Sequence, residues 1–444
     1  MAETVDGSQL TQSLHSTPAT DMPFAPSRGA RSRLRVSVFC TRRLYIHLAI
    51  LVMVIFILAI IRLMTQVRVT FVHYHMDSDA DVELVNLPSS FSAARGAYCL
   101  DGSPPAYYYR LSPAESVNFW IVYVPSGAWC VSVEDCYERS LTIRGSSRVA
   151  PKALSYDGIL SKDCNKNPDF CLWNVLVLLY CDGGSFLGNV SDVLYHESQP
   201  VYLRGALVFD TLMEYVVANT GLGDAEQVVL AGSSAGGTAA LIHADRLRSR
   251  LPQSVKTLHV LVDGAMFVDV PSIDGEHMMA DTFQSVYKLH SLKFSASIRE
   301  CTQVQKVEDE WKCLFPEVYH PFVFTPLFFI NSVYDRWQRR FELNISCNAF
   351  ACPSDHIRYV HNLKDAVLGL AKKITRSRKN GVFLTMCPLH VLLVKQCFSD
   401  PDLGNPTLQS SVASWLQHDT EQAHVKSLPD LETAIEVCQG TINC

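Results

Sequence analysis

The sequence is poor in charge. Charged residues make up 18% of its 444 positions, below the ~25% of an average globular chain, whereas apolar residues make up 48%. With so many apolar and aromatic residues, most of the chain is expected to fold. Positions 1–68 hold eight arginines, three acids and no lysine, for a net charge of +5, although the whole chain carries −6. A basic segment outside an acidic body argues against a nucleic-acid partner, because such proteins carry their basic surface on the folded domain.

The sequence also lacks the repeated Cys-x-x-Cys spacing of structural zinc sites, and it predicts no metal site. It has 15 cysteines, and fourteen of them follow Cys40, an even number that suits disulfides in an oxidising compartment. We expect disulfides between cysteines that lie close together in the sequence. These pairs are Cys130/Cys136, Cys164/Cys171, Cys301/Cys313 and Cys347/Cys352.

Formal charge is absent from Leu44–Ile61, an apolar run of 18 residues that is just long enough to cross ~30 Å of hydrocarbon. Five arginines lie between positions 31 and 43, and only two follow the run before position 69. The larger positive charge favours the cytosolic side, which places the body in the lumen. A cleaved signal peptide is the alternative, but its N-region and apolar core are normally shorter. We predict a single-pass type II membrane protein whose body is lumenal or extracellular.

No linker rich in proline or serine divides the chain after Tyr98, and no internal repeat is present. Two N-glycosylation sequons, at Asn189 and Asn344, fit a lumenal body. The predicted organisation is a disordered cytosolic tail at 1–43, a signal-anchor helix at 44–61, a stem at 62–92 and one domain at 93–444.

Short apolar runs alternate with helical patterns at 205–219, 235–250 and 357–373 within this domain. Uninterrupted apolar runs are expected of strands that are covered on both faces. Their alternation with helices predicts an α/β fold with a doubly wound, mainly parallel sheet. The predicted strands are Phe119–Val124, Val175–Tyr180, Gln227–Ala231, Leu258–Val262, Leu327–Ile330 and Val382–Leu384.

The sequence after Gln227–Ala231 contains the motif Gly-x-Ser-x-Gly around Ser234, followed at once by a helical pattern. Strand, sharp turn and helix are the context in which this motif presents a nucleophilic serine. Glycines on both sides allow the tight turn, and the helix N-terminus favours developing negative charge. The alternative is an ordinary glycine-rich turn. We interpret Ser234 as a catalytic nucleophile.

A serine hydroxyl needs a base to become a nucleophile, and in this fold an acid and then a histidine follow later strands. Asp335 is the first acid after Leu327–Ile330, and His390 lies a few residues after Val382–Leu384. His390 is therefore predicted as the base and Asp335 as the residue that orients it. The alternatives are a surface carboxylate and a surface or core histidine. His243, in the helix after Ser234, is expected to be structural.

An oxyanion hole requires backbone N–H donors near the nucleophile. The N–H of Ala235 directly follows Ser234, and Gly127 and Ala128 lie in the loop after Phe119–Val124. These three residues are our candidates. A substrate pocket is predicted from Trp129 and from the segment after the strand at 175–180, whose alternative role is a structural disulfide loop. The predicted pocket residues are Trp129, Tyr180, Asp182, Gly183 and Phe186.

The sequence resembles the pectin acetylesterase and Notum carboxylesterase family in a series of short segments that cover the body. The segments are Cys99–Tyr108, Trp129-Cys130, Tyr180–Gly183, Gly232–Gly237, Val262–Ala265, Tyr334–Gln338 and Cys387–His390. The resemblance implies an α/β-hydrolase-like fold, and it places the family's Ser, Asp and His on Ser234, Asp335 and His390. Members remove acetyl groups from plant polysaccharide or a fatty acyl group from a signalling protein.

The sequence departs from the family in the loop before Trp129, where Ser126 and Ala128 occupy positions at which glycine is common. The segment after His390 and the N-terminal apolar run also differ. We further expect a disulfide between Cys99 and Cys181.

The expected function is a membrane-anchored carboxylic-ester hydrolase that needs no cofactor and acts on an O-acetyl ester of a carbohydrate. One alternative is a Notum-like deacylase of longer fatty-acyl esters, which the volume of the acyl pocket would distinguish. A second alternative is a catalytically inactive glycan-binding protein, in which Ser234→Ala would affect binding rather than hydrolysis.

Overall fold

The computed structural model divides the chain into two compact units, Met1–Ser78 and Asp79–Cys444. It describes residues 47, 50–59, 81–114, 118–347, 352–401, 406–418, 438 and 444. In the first unit, residues 50–59 are helical and their side chains are exposed. In the described part of the chain, none of the helices has both the length and the apolar character needed to span a bilayer. The predicted tail at 1–43, the remainder of the predicted anchor except position 47, and residues 62–80 lie outside the described residues.

The second unit is built on a large mixed sheet with a two-stranded hairpin beside it. The strands are β1 (Val82–Asn86), β2 (Ala106–Arg110), β3 (Phe119–Val124), β4 (Ala153–Leu154), β5 (Asn174–Leu178), β6 (Leu194–His196), β7 (Gln199–Val201), β8 (Gln227–Ser233), β9 (Thr257–Asp263), β10 (Leu327–Ser332) and β11 (Gly381–Thr385). Among the described residues the large sheet has nine strands, in the order β11-β10-β9-β8-β3-β5-β2-β1-β4, and β6 pairs with β7.

The six strands from β11 to β5 in that order are parallel. Their apolar runs are buried on both faces, as the pattern predicted. In β3, for example, Ile121 and Tyr123 pack into one core, whereas Val122 and Val124 pack into the other. The predicted α/β class and all six predicted strands are therefore present in the structure.

Helices cover the sheet. The α-helices in the described ranges of the second unit are α1 (Ser89–Ala93), α2 (Val133–Ser140), α3 (Gly205–Asn219), α4 (Ala235–Arg250), α5 (Met278–Leu289), α6 (Arg299–Thr302), α7 (Pro316–Tyr319), α8 (Ser354–Ile374) and α9 (Leu408–His418). Two of the three predicted helices, α3 and α4, have the predicted bounds, and the third extends beyond 357–373 as α8.

The predicted stem at 62–92 is wrong in its second half. Strand β1 pairs antiparallel with β2 and β4, and α1 follows it, so residues from position 81 onward belong to the folded unit. Strand β1 lies near the edge of the sheet and buries only Val82 fully. A half-buried strand of five residues next to the edge gives a weak apolar pattern, and for this reason the sequence there is similar to that of a linker.

Seven disulfides connect the described cysteines. Cys99–Cys181 and the four pairs that lie close in sequence are confirmed. The two further bonds are Cys387–Cys438 and Cys397–Cys444, which tie the C-terminus to the segment around His390. A set of this size is typical of proteins that fold in an oxidising compartment.

The carboxyl ends of the parallel strands meet at one edge of the sheet. Strand β8 ends there at the turn that holds Ser234, and β10 and β11 lead to Asp335 and His390. Strand β3 leads to the loop that contains Gly127 and Ala128. Loops at this edge are where parallel α/β sheets form their binding sites.

Candidate active site

Ser234 lies in a sharp turn between β8 and α4. Its backbone has φ +56° and ψ −124°, values that a residue with a side chain rarely adopts. A Cβ atom at Gly232 would lie 2.0 Å from the carbonyl oxygen of Gly236, and one at Gly236 would lie 2.2 Å from the carbonyl oxygen of Val124. The two glycines of the Gly-x-Ser-x-Gly motif are therefore required by close packing of the backbone.

Hydrogen bonds hold Ser234 in this conformation. Its backbone N–H donates to the carbonyl oxygen of Asp263 at 2.7 Å, which links the turn to the end of β9. Its Oγ lies 3.0 Å from Nε2 of His390. The hydroxyl stands at the N-terminus of the 16-residue helix α4, where the helix dipole favours negative charge.

His390 connects Ser234 to Asp335. The Nδ1 atom lies 3.0 Å and 2.8 Å from the two carboxylate oxygens of Asp335. Burial lowers the pKa of His390, but the charge of Asp335 and its hydrogen bond outweigh burial, and the pKa lies above its ordinary value. This arrangement stabilises an imidazolium once the ring has accepted a proton.

Asp335 is completely buried at the start of a helical turn. Its Oδ1 accepts the backbone N–H groups of Trp337 at 2.8 Å and Gln338 at 3.0 Å. These bonds fix the carboxylate toward His390. The structure thus brings the three predicted residues Ser234, Asp335 and His390 into one hydrogen-bonded chain.

The carbonyl groups of the loop after β3 accept hydrogen bonds from neighbouring side chains. The guanidinium of Arg139 donates to the carbonyl oxygens of Gly127 at 2.6 Å and Trp129 at 3.1 Å. The hydroxyl of Tyr180 donates to the carbonyl oxygen of Ala128 at 2.8 Å. In a trans peptide the C=O and the next N–H point in opposite directions. The bond from Arg139 to the Gly127 carbonyl therefore turns the N–H of Ala128 away from Arg139.

The N–H groups of Gly127 and Ala128 donate no hydrogen bond to any described residue. Ala128 has φ +53°, a left-handed conformation that the two inward carbonyl bonds hold in place. The N–H of Ala235 is in the first turn of α4 and has no partner within that helix. All three predicted oxyanion donors are thus available.

The segment that follows β5 differs from its predicted role as pocket wall. Tyr180, Asp182 and Phe186 are buried, with at most 3% of their surface exposed. Asp182 accepts the N–H groups of Gly184 and Phe186, and burial raises its pKa to about 7. The carbonyl of Gly183 accepts the N–H of Cys130 at 2.9 Å. We call the loop that holds the oxyanion candidates Gly127 and Ala128 the oxyanion loop. The segment after β5 supports this loop by its bonds to Ala128 and Cys130, so its alternative structural role describes it better.

Trp129 is also nearly buried, and its ring centroid lies 6.5 Å from that of Trp337, which stacks on His390. Its indole N–H donates to Oγ of Ser185 at 2.7 Å, and that hydroxyl donates to the carbonyl of Ala235 at 2.7 Å. Its ring packs against Phe267 and Phe283, with ring centroids 5.3 Å and 5.2 Å away. Trp129 therefore forms an aromatic wall beside Ser234.

Asp263 is a site residue to which the sequence analysis gave no role. It is completely buried, and its carboxylate accepts the N–H groups of Leu392 and Leu393 at 3.0 Å. These two residues follow Val391, a β-branched residue with φ +71° directly after His390. The hydrogen bonds from Asp263 hold this strained segment, and with it the position of the histidine.

A chain of hydroxyl groups extends from the same carboxylate. Ser233 donates to Oδ2 of Asp263 at 2.8 Å, and the hydroxyl of Tyr123 donates to Oγ of Ser233 at 3.0 Å. Burial raises the pKa of Asp263 to about 6. Two signals in the sequence pointed to Asp263: it directly follows the predicted strand Leu258–Val262, and it lies in one of the family segments.

Other predicted residues lie outside this cluster. His243 is buried and stacked on Phe209, and its Nε2 lies 2.9 Å from the carbonyl oxygen of Phe186, so it belongs to the core. Asn344 is exposed and Asn189 is half-buried. Glycosylation at both asparagines stays a prediction.

One cluster of potential metal ligands occurs among the described residues, formed by Cys130, Cys136 and His290. The two sulfur atoms are bonded to each other as a disulfide. They are not thiolates, and the cluster braces the oxyanion loop instead, since Nε2 of His290 lies 3.1 Å from the carbonyl oxygen of Cys130.

Comparison with known families identifies the family of the chain. The family described as Pectinacetylesterase matches residues 70–434 of the chain. The chain belongs to the pectinacetylesterase family. The matched range contains Ser234, Asp335, His390 and the oxyanion loop. The family acts on acetylated polysaccharide or other ester substrates. The protein is therefore a carboxylic ester hydrolase.

Relatives of two kinds are found. The chain is 31% identical to Pectin acetylesterase 5 of Arabidopsis thaliana over 350 residues, which is 75% of this chain and 80% of that protein. It is 26% identical to the palmitoleoyl-protein carboxylesterase Notum of Schmidtea mediterranea over 334 residues, 73% of this chain and 61% of that protein. The structure of the Wnt deacylase Notum from Drosophila superposes with a TM-score of 0.66 at 23% identity, covering 77% of this chain and 95% of that one. This superposition supports the fold.

Proposed function

We propose that this member of the family is a serine hydrolase in which Ser234, His390 and Asp335 form the catalytic triad. The observation that carries the proposal is the hydrogen-bonded chain from Oγ of Ser234 through the imidazole to Asp335. His390 removes the hydroxyl proton while Oγ attacks the ester carbonyl. The N–H groups of Gly127, Ala128 and Ala235 face the negative charge that develops on the carbonyl oxygen.

The second half of the reaction uses the same groups. His390 gives its proton to the departing alcohol as the tetrahedral intermediate collapses to an acyl-enzyme. A water molecule then loses a proton to His390 and attacks the acyl carbonyl, which releases the acid and restores Ser234. Every proton in this scheme passes through Nε2 of His390.

We infer that the substrate is an acetyl ester on a carbohydrate. The relative at 31% identity is named for pectin acetylesterase activity. The aromatic wall at Trp129, packed against Phe267 and Phe283, limits the space for an acyl chain beside Ser234. We therefore expect an acetyl ester to react faster than a fatty-acyl ester.

The test is hydrolysis of p-nitrophenyl acetate and p-nitrophenyl octanoate by the full-length protein, with Ser234→Ala for comparison. We expect acetate to be the faster substrate and the mutant to lose activity by at least about 10³-fold. Trp129→Ala should raise the octanoate-to-acetate ratio of kcat/KM. Equal rates for the wild type and Ser234→Ala, with both proteins folded, would refute the triad, and a preference for octanoate would refute the acetyl assignment.

We further propose that Leu44–Ile61 anchors the protein as a type II membrane protein with the hydrolase domain in the lumen or outside the cell. The uncharged run, the arginines before it and the seven disulfides support this topology. The protein should resist extraction from membranes by alkaline carbonate. Removal of N-glycans should shift its electrophoretic mobility, and Asn189→Gln with Asn344→Gln should abolish the shift.

A further inference from the structure

The oxyanion donors of the proposed mechanism come from two separate segments. Gly127 and Ala128 lie in the oxyanion loop, whereas Ala235 is the first residue of α4. In the described residues, β3 and β8 pair up to Val124 and Gly232, so the strand hydrogen bonds end before the donors. An oxyanion hole works only when its donors stand at fixed places around the developing oxygen. The site therefore needs a further link between the loop and the helix.

The hydroxyl of Ser185 forms such a link. Its Oγ lies 2.7 Å from Nε1 of Trp129, which directly follows Ala128, and 2.7 Å from the carbonyl oxygen of Ala235. An indole N–H can only donate, and a carbonyl oxygen can only accept. The single hydroxyl proton must therefore point to Ala235, while Oγ accepts from Trp129. A hydroxyl can join these two groups because it both donates and accepts, whereas an alanine side chain could do neither.

The backbone of Ser185 reaches the same loop by a second route. Its N–H donates to the hydroxyl oxygen of Tyr180 at 3.0 Å. That hydroxyl donates in turn to the carbonyl oxygen of Ala128 at 2.8 Å. Ser185 is thus connected to two successive loop residues, to Ala128 through Tyr180 and to Trp129 through its own side chain. A displacement of Ser185 would be transmitted to the loop at both residues.

The segment around Ser185 is held in an unfavourable conformation. Ser185 and Phe186 have φ +55° and +57°, left-handed values that residues with a side chain rarely adopt. The Oδ2 atom of Asp182 accepts the N–H groups of Gly184 at 3.0 Å and Phe186 at 2.9 Å, and Ser185 has no exposed surface. Such strain persists only where the surroundings determine the backbone, and it is concentrated at functional sites. The hydroxyl is therefore kept at one position.

We propose that Ser185 is a positioning residue that joins the two halves of the oxyanion hole. It acts through Ala128 and Ala235, whose N–H groups face the reacting carbonyl in the proposed mechanism. This proposal rests on the proposed function, because that mechanism assigns the oxyanion donors. Loss of the link should weaken binding of the tetrahedral intermediate, which carries the oxyanion, and should leave binding of the uncharged ester almost unchanged.

Ser185→Ala is the direct test in the full-length protein. We expect kcat for p-nitrophenyl acetate to fall by about tenfold or more, with KM within about twofold of the wild type. Ser92→Ala is the matched control, because Ser92 is a buried serine of α1 whose hydroxyl donates to the carbonyl oxygen of Ala97. Both variants should lower Tm, since each loses a buried hydrogen bond. Only Ser185→Ala should lower kcat.

Inhibition by 2,2,2-trifluoroacetophenone gives a readout without turnover. Oγ of Ser234 forms a bond to the ketone carbon, the electron pair of the C=O double bond moves to the oxygen, and the hydroxyl proton passes to Nε2 of His390. The adduct thus carries the oxyanion of the tetrahedral intermediate. Its Ki should rise by about tenfold in Ser185→Ala and stay unchanged in Ser92→Ala. A decrease in stability alone would not change the Ki of the folded protein.

Trp129→Phe tests the link from its other end. The change removes the indole N–H that donates to Ser185 and keeps an aromatic ring. Because the two residues share one bond, their effects should not add, and kcat of the double variant Ser185→Ala/Trp129→Phe should lie within about twofold of the slower single variant. If Ser185→Ala does not fold, a fall in kcat and a rise in Ki for Trp129→Phe test the same link.

Three results would overturn the role of Ser185. They are unchanged kcat and Ki in Ser185→Ala, an equal fall of kcat in Ser92→Ala, and fully additive losses in the double variant. A rise of KM with unchanged kcat would count against it as well, because it would show loss of ground-state binding. Absence of Ser234-dependent hydrolysis of p-nitrophenyl acetate in the wild type would instead mean that the proposed function itself is wrong.

Discussion

The two sides of the Ser234–His390–Asp335 chain differ in how their polar groups are bonded. On the side that faces the sheet, the Asp263 carboxylate and the hydroxyls of Ser233 and Tyr123 are buried and hydrogen-bonded to one another or to backbone. On the other side, a groove carries two exposed guanidinium groups with no bonded partner among the described residues; it is lined by Arg336, Trp337, Arg340, Phe341 and His390. The sheet side fixes the geometry of the proposed catalytic groups, and the groove side is exposed.

This difference predicts different kinetic effects on the two sides. A buried group that loses its partner costs the full penalty of an unsatisfied donor or acceptor, so changes on the sheet side should displace catalytic atoms and lower kcat. The two arginines of the groove are exposed and make no such buried bonds, so changes there should leave kcat for a small neutral ester nearly unchanged. Four substitutions test this separation, in order of decreasing effect.

Asp335→Asn should lower kcat more than the other three substitutions. Asp335 is completely buried, is hydrogen-bonded to His390 and directly precedes the segment that forms the groove. An amide would favour the wrong tautomer of His390 and would not stabilise the imidazolium. We expect kcat for p-nitrophenyl acetate to fall by about 10⁴-fold, measured with Asp365→Asn, an exposed residue of α8, as the control. A decrease of less than about tenfold would contradict the assignment of Asp335.

Gly127→Ala should have the next largest effect. A Cβ at this position would lie 2.5 Å from the ring of Tyr180, which is itself held by its bond to Ala128, so the loop must shift. Displacement of one oxyanion donor costs about 10²-fold in kcat. Gly369→Ala in α8 is the matched control, because a Cβ there meets no atom within 4 Å. Unchanged kcat in Gly127→Ala would exclude this loop from the oxyanion hole.

Sequence reasoning succeeded where one local pattern determines one structure. The uninterrupted runs predicted the parallel strands, and the order of strands then placed Ser234, Asp335 and His390 at the same edge without knowledge of any contact. The strand Val82–Asn86 was missed because its burial depends on pairing with β2, which lies about twenty residues away in the chain. The roles of Tyr180 and Asp182 were misjudged for a similar reason. Adjacency to a strand end does not reveal whether a side chain faces the cleft or the core.

The groove illustrates the same limit. Arg336 and Arg340 are ordinary surface residues by sequence, and only the path of the helical segment after Asp335 brings them beside His390. Asp263 was visible at the end of a predicted strand, but its three hydrogen-bond donors come from Ser233 and from the segment after β11. Contacts between segments that are distant in sequence decided both cases.

Asp263→Asn tests the sheet side of the site and leaves the residues of the proposed triad unchanged. The new amide group would face a donor where Oδ2 now accepts from Ser233 and Leu393. We expect kcat to fall by about tenfold with little change in KM, equivalent to the ~1.4 kcal/mol of one lost buried bond. Asp269→Asn, an exposed acid six residues later, is the control. An increase in KM with unchanged kcat would show that Asp263 does not position His390.

Titration gives a second readout for the same variant. The pKa of Asp263 is about 6 in the folded protein, above its ordinary value of 3.8. The native state therefore binds more protons than the unfolded state between these values, and the contribution of Asp263 to stability falls as the pH rises from about 4 to 6. The free energy of unfolding of the wild type, relative to Asp263→Asn, should decrease over this window and stay level above it.

Arg336→Gln should have the smallest effect on the turnover of a neutral substrate. It tests whether the charge of a groove residue changes the pKa of His390. The positive charge of Arg336 opposes protonation of His390. Its removal should raise the pKa of the imidazole, and because catalysis needs the unprotonated base, the acidic limb of the kcat/KM profile should move to higher pH by a few tenths of a unit. High salt should reduce the shift, because exposed charges are screened. Arg378→Gln, which removes an exposed charge after α8, should leave the limb in place. A shift to lower pH in Arg336→Gln would mean that the groove affects His390 by contact rather than by charge.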